Sequence, residues 1–120
     1  MDISRFEKFL SKNDITFGVI AYLEDNEVKK LDKFGDINLL IEHSIVDKLV
    51  GDIQSTNNLN KSLDGQILPQ IWGQGKVAAL IFKPNNNIII GLFYEESRSA
   101  IEQYKWSKVL NSEIIKIFNC

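Results

Sequence analysis

The sequence predicts an α+β domain built on a five-stranded antiparallel sheet. Three observations lead there: a period-two run early in the chain, two nearly continuous apolar runs late in it, and stretches of helical spacing before, between and after them. The 120 residues are 44% hydrophobic and 25% charged, which is enough for one domain over 1–120 to bury a core without staples.

The elements follow in order. Ser4-x-x-Glu7 has capping-box spacing, and Phe6, Phe9 and Leu10 form an apolar stripe, so a short helix runs to about Lys12 and ends at Asn13-Asp14. From Ile15 to Leu23 the period is two, with Ile15, Phe17, Val19, Ala21 and Leu23 on one face of a strand. Glu24-Asp25-Asn26-Glu27 is a polar turn, and Val28–Phe34 returns antiparallel, although Val28, Leu31 and Phe34 are also three apart and fit a helix. Gly35-Asp36 breaks the pattern, and Asp36 or Asn38 can cap a helix in which Ile37, Ile41, Ile45, Leu49 and Ile53 recur every four residues. With Leu40, Val46 and Val50 beside them, the apolar arc is wider than one contact surface needs. Gln54–Gln66, rich in Asn and Ser and ending in Asp64-Gly65, reads as a loop.

Three strands follow: Ile67–Trp72, Lys76–Lys83 and Ile88–Tyr94. The last two are apolar at nearly every position, as central strands covered on both faces are. Pro69 cannot donate to a ladder, so the first of the three lies at an edge or ends in a bulge. Ser97 or Ser99 caps the final helix, Ser99-x-x-Glu102 again having capping-box spacing, and Trp106, Leu110, Ile114, Ile117 and Phe118 form its stripe. Asn111-Ser112 is a place where it can kink or split.

Charge and composition exclude several functions. With 14 basic and 16 acidic side chains the net charge is −2, and neither half carries the dense basic stripe that a nucleic-acid phosphate backbone requires. The lone cysteine, Cys120, permits no internal disulfide or thiolate cluster and reads as an exposed tail residue. No apolar run approaches the roughly 20 residues of a bilayer span, and Met1-Asp2-Ile3-Ser4-Arg5 lacks a secretory apolar stretch, so a cytoplasmic protein is expected.

No catalytic constellation stands out, and neither enzyme activity nor a cofactor or metal is expected. Gly73-Gln74-Gly75-Lys76 lacks the gap and the hydroxyl of a phosphate loop and leads into a strand, so it reads as a tight turn. His43 has no neighbouring nucleophile in the sequence and reads as a surface or interface residue. Glu24-Asp25-Asn26-Glu27 and Glu95-Glu96 read as solvated turns, and Tyr104 and Trp106 as core. Trp72, at the end of an edge strand beside a glycine, is divided between interface and core.

The broad apolar arc and the edge strand favour a non-enzymatic interaction module that dimerises, since an isologous dimer would cover both. A second reading is a small inhibitor, such as an immunity protein, with Glu24, Asp25, Glu27 and Asp32 facing a basic toxin. A third, a small-ligand sensor or enzyme, needs polar groups converging from distant positions.

The element order, helix, two strands, helix, three strands, helix, spans essentially the whole chain and resembles the roadblock/LC7 family, a profilin-like and longin-related fold. The resemblance implies a homodimer formed through the central helix and the strand after it, acting as scaffold or regulator for small GTPases, motors or trafficking complexes. Carried over by position, the interface would draw on Ile37, Ile41, Ile45, Leu49, Ile53, Ile67, Ile71 and Trp72. Pro69 departs from a clean pairing strand.

Overall fold

Strands that are apolar on both faces need cover on both, and the chain supplies it with helices on either side of one sheet. The structure, a computed structural model, describes residues 3–119; Cys120, expected as an exposed tail, lies outside the described residues. Helix α1 (Ile3–Lys12) precedes the hairpin of β1 (Phe17–Glu24) and β2 (Glu27–Gly35). A single 3₁₀ turn (Ile37–Leu39) then leads to α2 (Ser44–Val50) and α3 (Ile53–Ser62). Strands β3 (Gln70–Gln74), β4 (Val77–Asn85) and β5 (Ile88–Glu95) form a meander, and α4 (Ala100–Phe118) closes the described chain. All pairings are antiparallel, in the order β2-β1-β5-β4-β3.

Alternation along the three inner strands sorts side chains into two cores. Val19, Ala21, Val77, Ala79, Ile81, Ile89 and Phe93 face Ile45, Val46, Leu49 and Val50 of α2 and Leu59 of α3. Ile20, Ala78, Leu80, Ile90 and Leu92 face Phe6, Phe9 and Leu10 of α1 and Leu110, Ile114, Ile117 and Phe118 of α4. Each Leu or Ile fully buried this way contributes roughly 1.5–3 kcal/mol. Both faces of β1 are covered, so its second face, Gly18, Ile20 and Tyr22, is as much core as the first.

Turn chemistry follows the sequence closely. Asp25 and Asn26 both have positive φ (53° and 63°), as a two-residue type I′ hairpin loop requires, and Asp14 ends α1 in the same region (φ 56°). Gly75 (φ 60°) makes Gly73-Gln74-Gly75-Lys76 the tight β3–β4 turn that was expected.

The middle of the chain departs from expectation. In place of one helix over Ile37–Ile53 there are the 3₁₀ turn, α2 and α3, and the expected loop over 54–66 is helical to Ser62. A four-residue repeat advances about 40° beyond a full turn at each step, so after four steps Ile53 would lie nearly opposite Ile37 on a straight helix. The chain breaks after Leu39 and again at Gly51. Asp52 restarts the helix, its carboxylate accepting from Ser55 N–H at 2.7 Å.

α3 is held by polar anchors where an apolar stripe was missing. Asn57 Oδ1 accepts from Val28 N–H at 2.8 Å, and the buried Asn60 donates to Asn26 O and Oδ1 at 3.2 and 3.1 Å while accepting from Lys83 Nζ at 2.8 Å. At the two ends of the chain, α1 begins at Ile3, so Ser4 lies inside the helix and not at its cap, and α4 runs unbroken through Asn111-Ser112 from a full Ser99–Glu102 capping box.

Three helices thus begin on a serine–carboxylate pair: Glu42 with Ser44, Asp52 with Ser55, Glu102 with Ser99. Hydrogen bonds from the serine side chain and then its backbone hold Glu42 and Glu102 below the usual carboxylate range, and for Asp52 the backbone bond leads. A carboxyl depressed in the folded state contributes stability above its unfolded pKa, lost as pH falls through the folded value. Thermal melts between neutral and acid pH should therefore fall less steeply for the Asp52→Asn, Glu102→Gln double variant than for the parent. Separately, Asn60→Ala should cost about 1–3 kcal/mol by urea denaturation, because it strands Lys83 and the Asn26 carbonyl; a shift of only tenths would disprove the anchor.

Candidate interaction surface

The sheet has two borders, and they are built differently. β2 presents Lys29, Lys30 and Lys33 along its edge, and its backbone is strapped by Asn57, while Lys33 Nζ reaches Gly51 O at 3.1 Å. Charge and cover of this kind block strand-to-strand pairing. β3 reads Gln-Ile-Trp-Gly-Gln, without a charged residue, and pairs on one side only, with Ile71 opposite Leu80 and Trp72 opposite Ala79. It follows the cis Leu68–Pro69 peptide and begins at Gln70, later than the expected Ile67.

Both flanks of β3 are cleft. On the α2 side a cleft of about 140 Å³ lies among Ile45, Lys48, Leu49 and Trp72; on the α4 side one of about 340 Å³ lies among Ile71, Ala78, Glu96 and Gln103. Trp72 is half-buried against the α2 core, its Nε1–H donating to Gln70 Oε1 at 3.2 Å. Ser44 Oγ lies 2.8 Å from Gln74 Oε1 and so ties the start of α2 to the end of β3.

The other expected interface residues separate into two groups. Ile45 and Leu49 are turned inward at 4% and 5% exposure, and α2 shows Ser44, Asp47 and Lys48 to solvent, so the helix itself has no surplus apolar face. Ile37 is half-buried in the same core. Exposed instead are Ile41 (67%), Ile53 (44%) at the start of α3, Ile67 (85%) and Ile71 (40%), together with Leu39, which sequence reasoning did not single out; α4 also exposes Ile101, Val109 and Ile115.

The residues weighed for chemistry are engaged in structure. His43 Nδ1 lies 3.7 Å from Asp47 Oδ2, and the nearby Ser44 hydroxyl is held between Glu42, at 2.9 Å, and Gln74. Of the acids offered for a basic toxin, Asp32 accepts from Tyr22 at 3.0 Å and faces Lys30 at 3.5 Å, and Glu27 faces Lys29 at 3.2 Å. Among the described residues no group of three or more His, Cys, Asp or Glu is placed to hold a metal, and no helix is long and apolar enough to cross a membrane. Charge is divided between the helical layers: Asp36, Glu42, Asp47, Asp52 and Asp64 outnumber Lys48 and Lys61 over 36–64, whereas bases outnumber acids along α1 and α4.

Beside the α4 cleft, Arg98 stacks over Trp106 at 3.8 Å and pairs with Glu96 at 3.1 Å, and Trp106 meets Tyr94 edge to face at 4.9 Å. Trp106 is half-buried in the core as expected; Tyr104 is not core but 54% exposed, with Lys108 over its ring. Burial pushes the Tyr94 phenol up to about 12, against a lowering hydrogen bond from Gln103. Burial, then the bond to Asp32, puts Tyr22 at about 12 as well. A phenol raised on folding contributes stability below its unfolded pKa that is lost as pH rises through the folded value. Stability should hence fall between about pH 10 and 12, with Tyr94→Phe removing one late-ionising phenol from the 295 nm titration.

Similarity to known proteins is structural. No family model matches the chain, and no curated protein matches it in sequence. In structure it is similar to MglB of Myxococcus xanthus, a roadblock/LC7 protein, with a TM-score of 0.54 and 12% identity over 97% of this chain and 93% of that one. At that identity the likeness speaks for the architecture: this chain has a roadblock-like fold.

Proposed function

We propose that the chain acts as a single non-enzymatic, cytoplasmic interaction module, which pairs with a second copy through β3 and regulates or adapts another protein. The observation that carries this reading is the contrast between the two sheet borders, one guarded by lysines and the other uncharged with Ile71 exposed. Unpaired backbone groups on such a border are a template for another strand. An antiparallel pairing of two copies over Gln70–Gln74 would put Trp72, the middle residue, on the two-fold axis, between aromatic and aliphatic anchors of the kind that dominate interfaces. Ile45 and Leu49, which line the cleft with Trp72, would support it from within, while Ile37, Ile41 and Ile67 would be outlying contacts and Ile53, next to Gly51 and the lysine-guarded β2 border, would stay outside the pairing. Pro69, with no N–H, would end the ladder at Gln70.

The roadblock resemblance supports a small GTPase as the kind of partner, with a motor or trafficking complex as further kinds. Sedimentation equilibrium at micromolar concentration should give twice the 13.7 kDa of the chain, and Ile71→Asp should give a folded monomer. A parent protein of monomer mass would refute the pairing. For the partner, immobilised protein should bind a small GTPase from the same genome differently in its GDP and GTP-analogue forms; no binding to any of them would remove that class.

A further inference from the structure

On the sheet face away from α2, α1 and α4 enclose an open groove of about 470 Å³. Its floor is Phe9 and Ile117, recessed at 3% and 6% exposure. Arg5, Lys8 and Lys12 stand at i, i+3 and i+7 along one rim, and Lys116 stands opposite. Glu113 is the carboxylate among the described lining residues, and Lys12 already faces it at 3.5 Å across the groove. We propose that this groove is a docking site for an acidic amphipathic helix of a partner protein, whose apolar side chains enter over Phe9 and Ile117 while its carboxylates meet the basic rims.

Three features select that occupant. Lysine and arginine stems extend the apolar walls while their charged heads stay in water, so the groove is apolar at depth and positive at the rim. The apolar residues are recessed, which suits a projecting Leu or Phe; a bilayer would need them to protrude. Nucleic acid would use the charges and leave the floor empty. The acidic layer on the other sheet face would turn the molecule so that an acidic partner meets the α1–α4 side first.

The test uses the full chain, labelled with ¹⁵N, and two capped peptides of about four helical turns. Both carry Leu at i, i+3, i+4 and i+7; the remaining positions are Glu in one and Lys in the other. The Glu peptide should shift amides within 5–12 and 113–117, with affinity falling about tenfold or more between about 50 mM and 500 mM salt as screening sets in. Lys8→Glu with Lys116→Glu should lose about tenfold or more towards the Glu peptide and gain the Lys peptide. If that variant fails to fold by circular dichroism, Lys8→Gln alone should weaken the Glu peptide. Absence of shifts in those segments, equal binding of both peptides, or binding to phosphatidylserine vesicles without binding to the Glu peptide would each overturn the proposal. None of these readings depends on pairing through β3.

Discussion

The constraint from which the structure follows is that β1, β4 and β5 carry apolar side chains on both faces. A sheet of that kind cannot leave either face to water, so two helices settle on each: α2 and α3 over one core, α1 and α4 over the other. The long inner strands fix where those helices lie, and the interior positions are then fully committed. What remains for contact with other molecules includes the sheet borders, the helix junctions, the seams between helices and the outer faces of the helices. The candidate surfaces at β3 and between α1 and α4 are of these kinds.

The strands were readable in sequence because their signals are short-ranged. The continuous apolar runs of β4 and β5, the Asp25-Asn26 turn and Gly75 each act within a few residues, and the strand expected at an edge or bulge is the edge strand β3, although Pro69 itself lies just before it. The middle helices were not readable in the same way. The four-residue repeat from Ile37 to Ile53 resembles a continuous helix when spacing is counted, as the same repeat in α4 is, and only Gly51-Asp52 marks the break. α3 escaped notice because Asn57 and Asn60 look like loop residues until their partners at Val28, Asn26 and Lys83 are brought to them.

The same distinction runs through the candidate surfaces. Trp72, divided in sequence between interface and core, is half-buried against the α2 core, and Ile41, Ile53, Ile67 and Ile71 are exposed. The inward turn of Ile45 and Leu49 could not be foreseen while the helix was taken as continuous. The row Arg5, Lys8, Lys12 is visible in sequence, yet it becomes the wall of a groove only when folding sets Glu113 and Lys116 across from it.

The lysines of β2 and the strap from α3 have one more consequence. With that margin closed, stacking of further subunits strand upon strand has nowhere to continue, so the proposed association through β3 would saturate after a single partner. The fold would thereby tolerate a sticky margin at high concentration without seeding fibres.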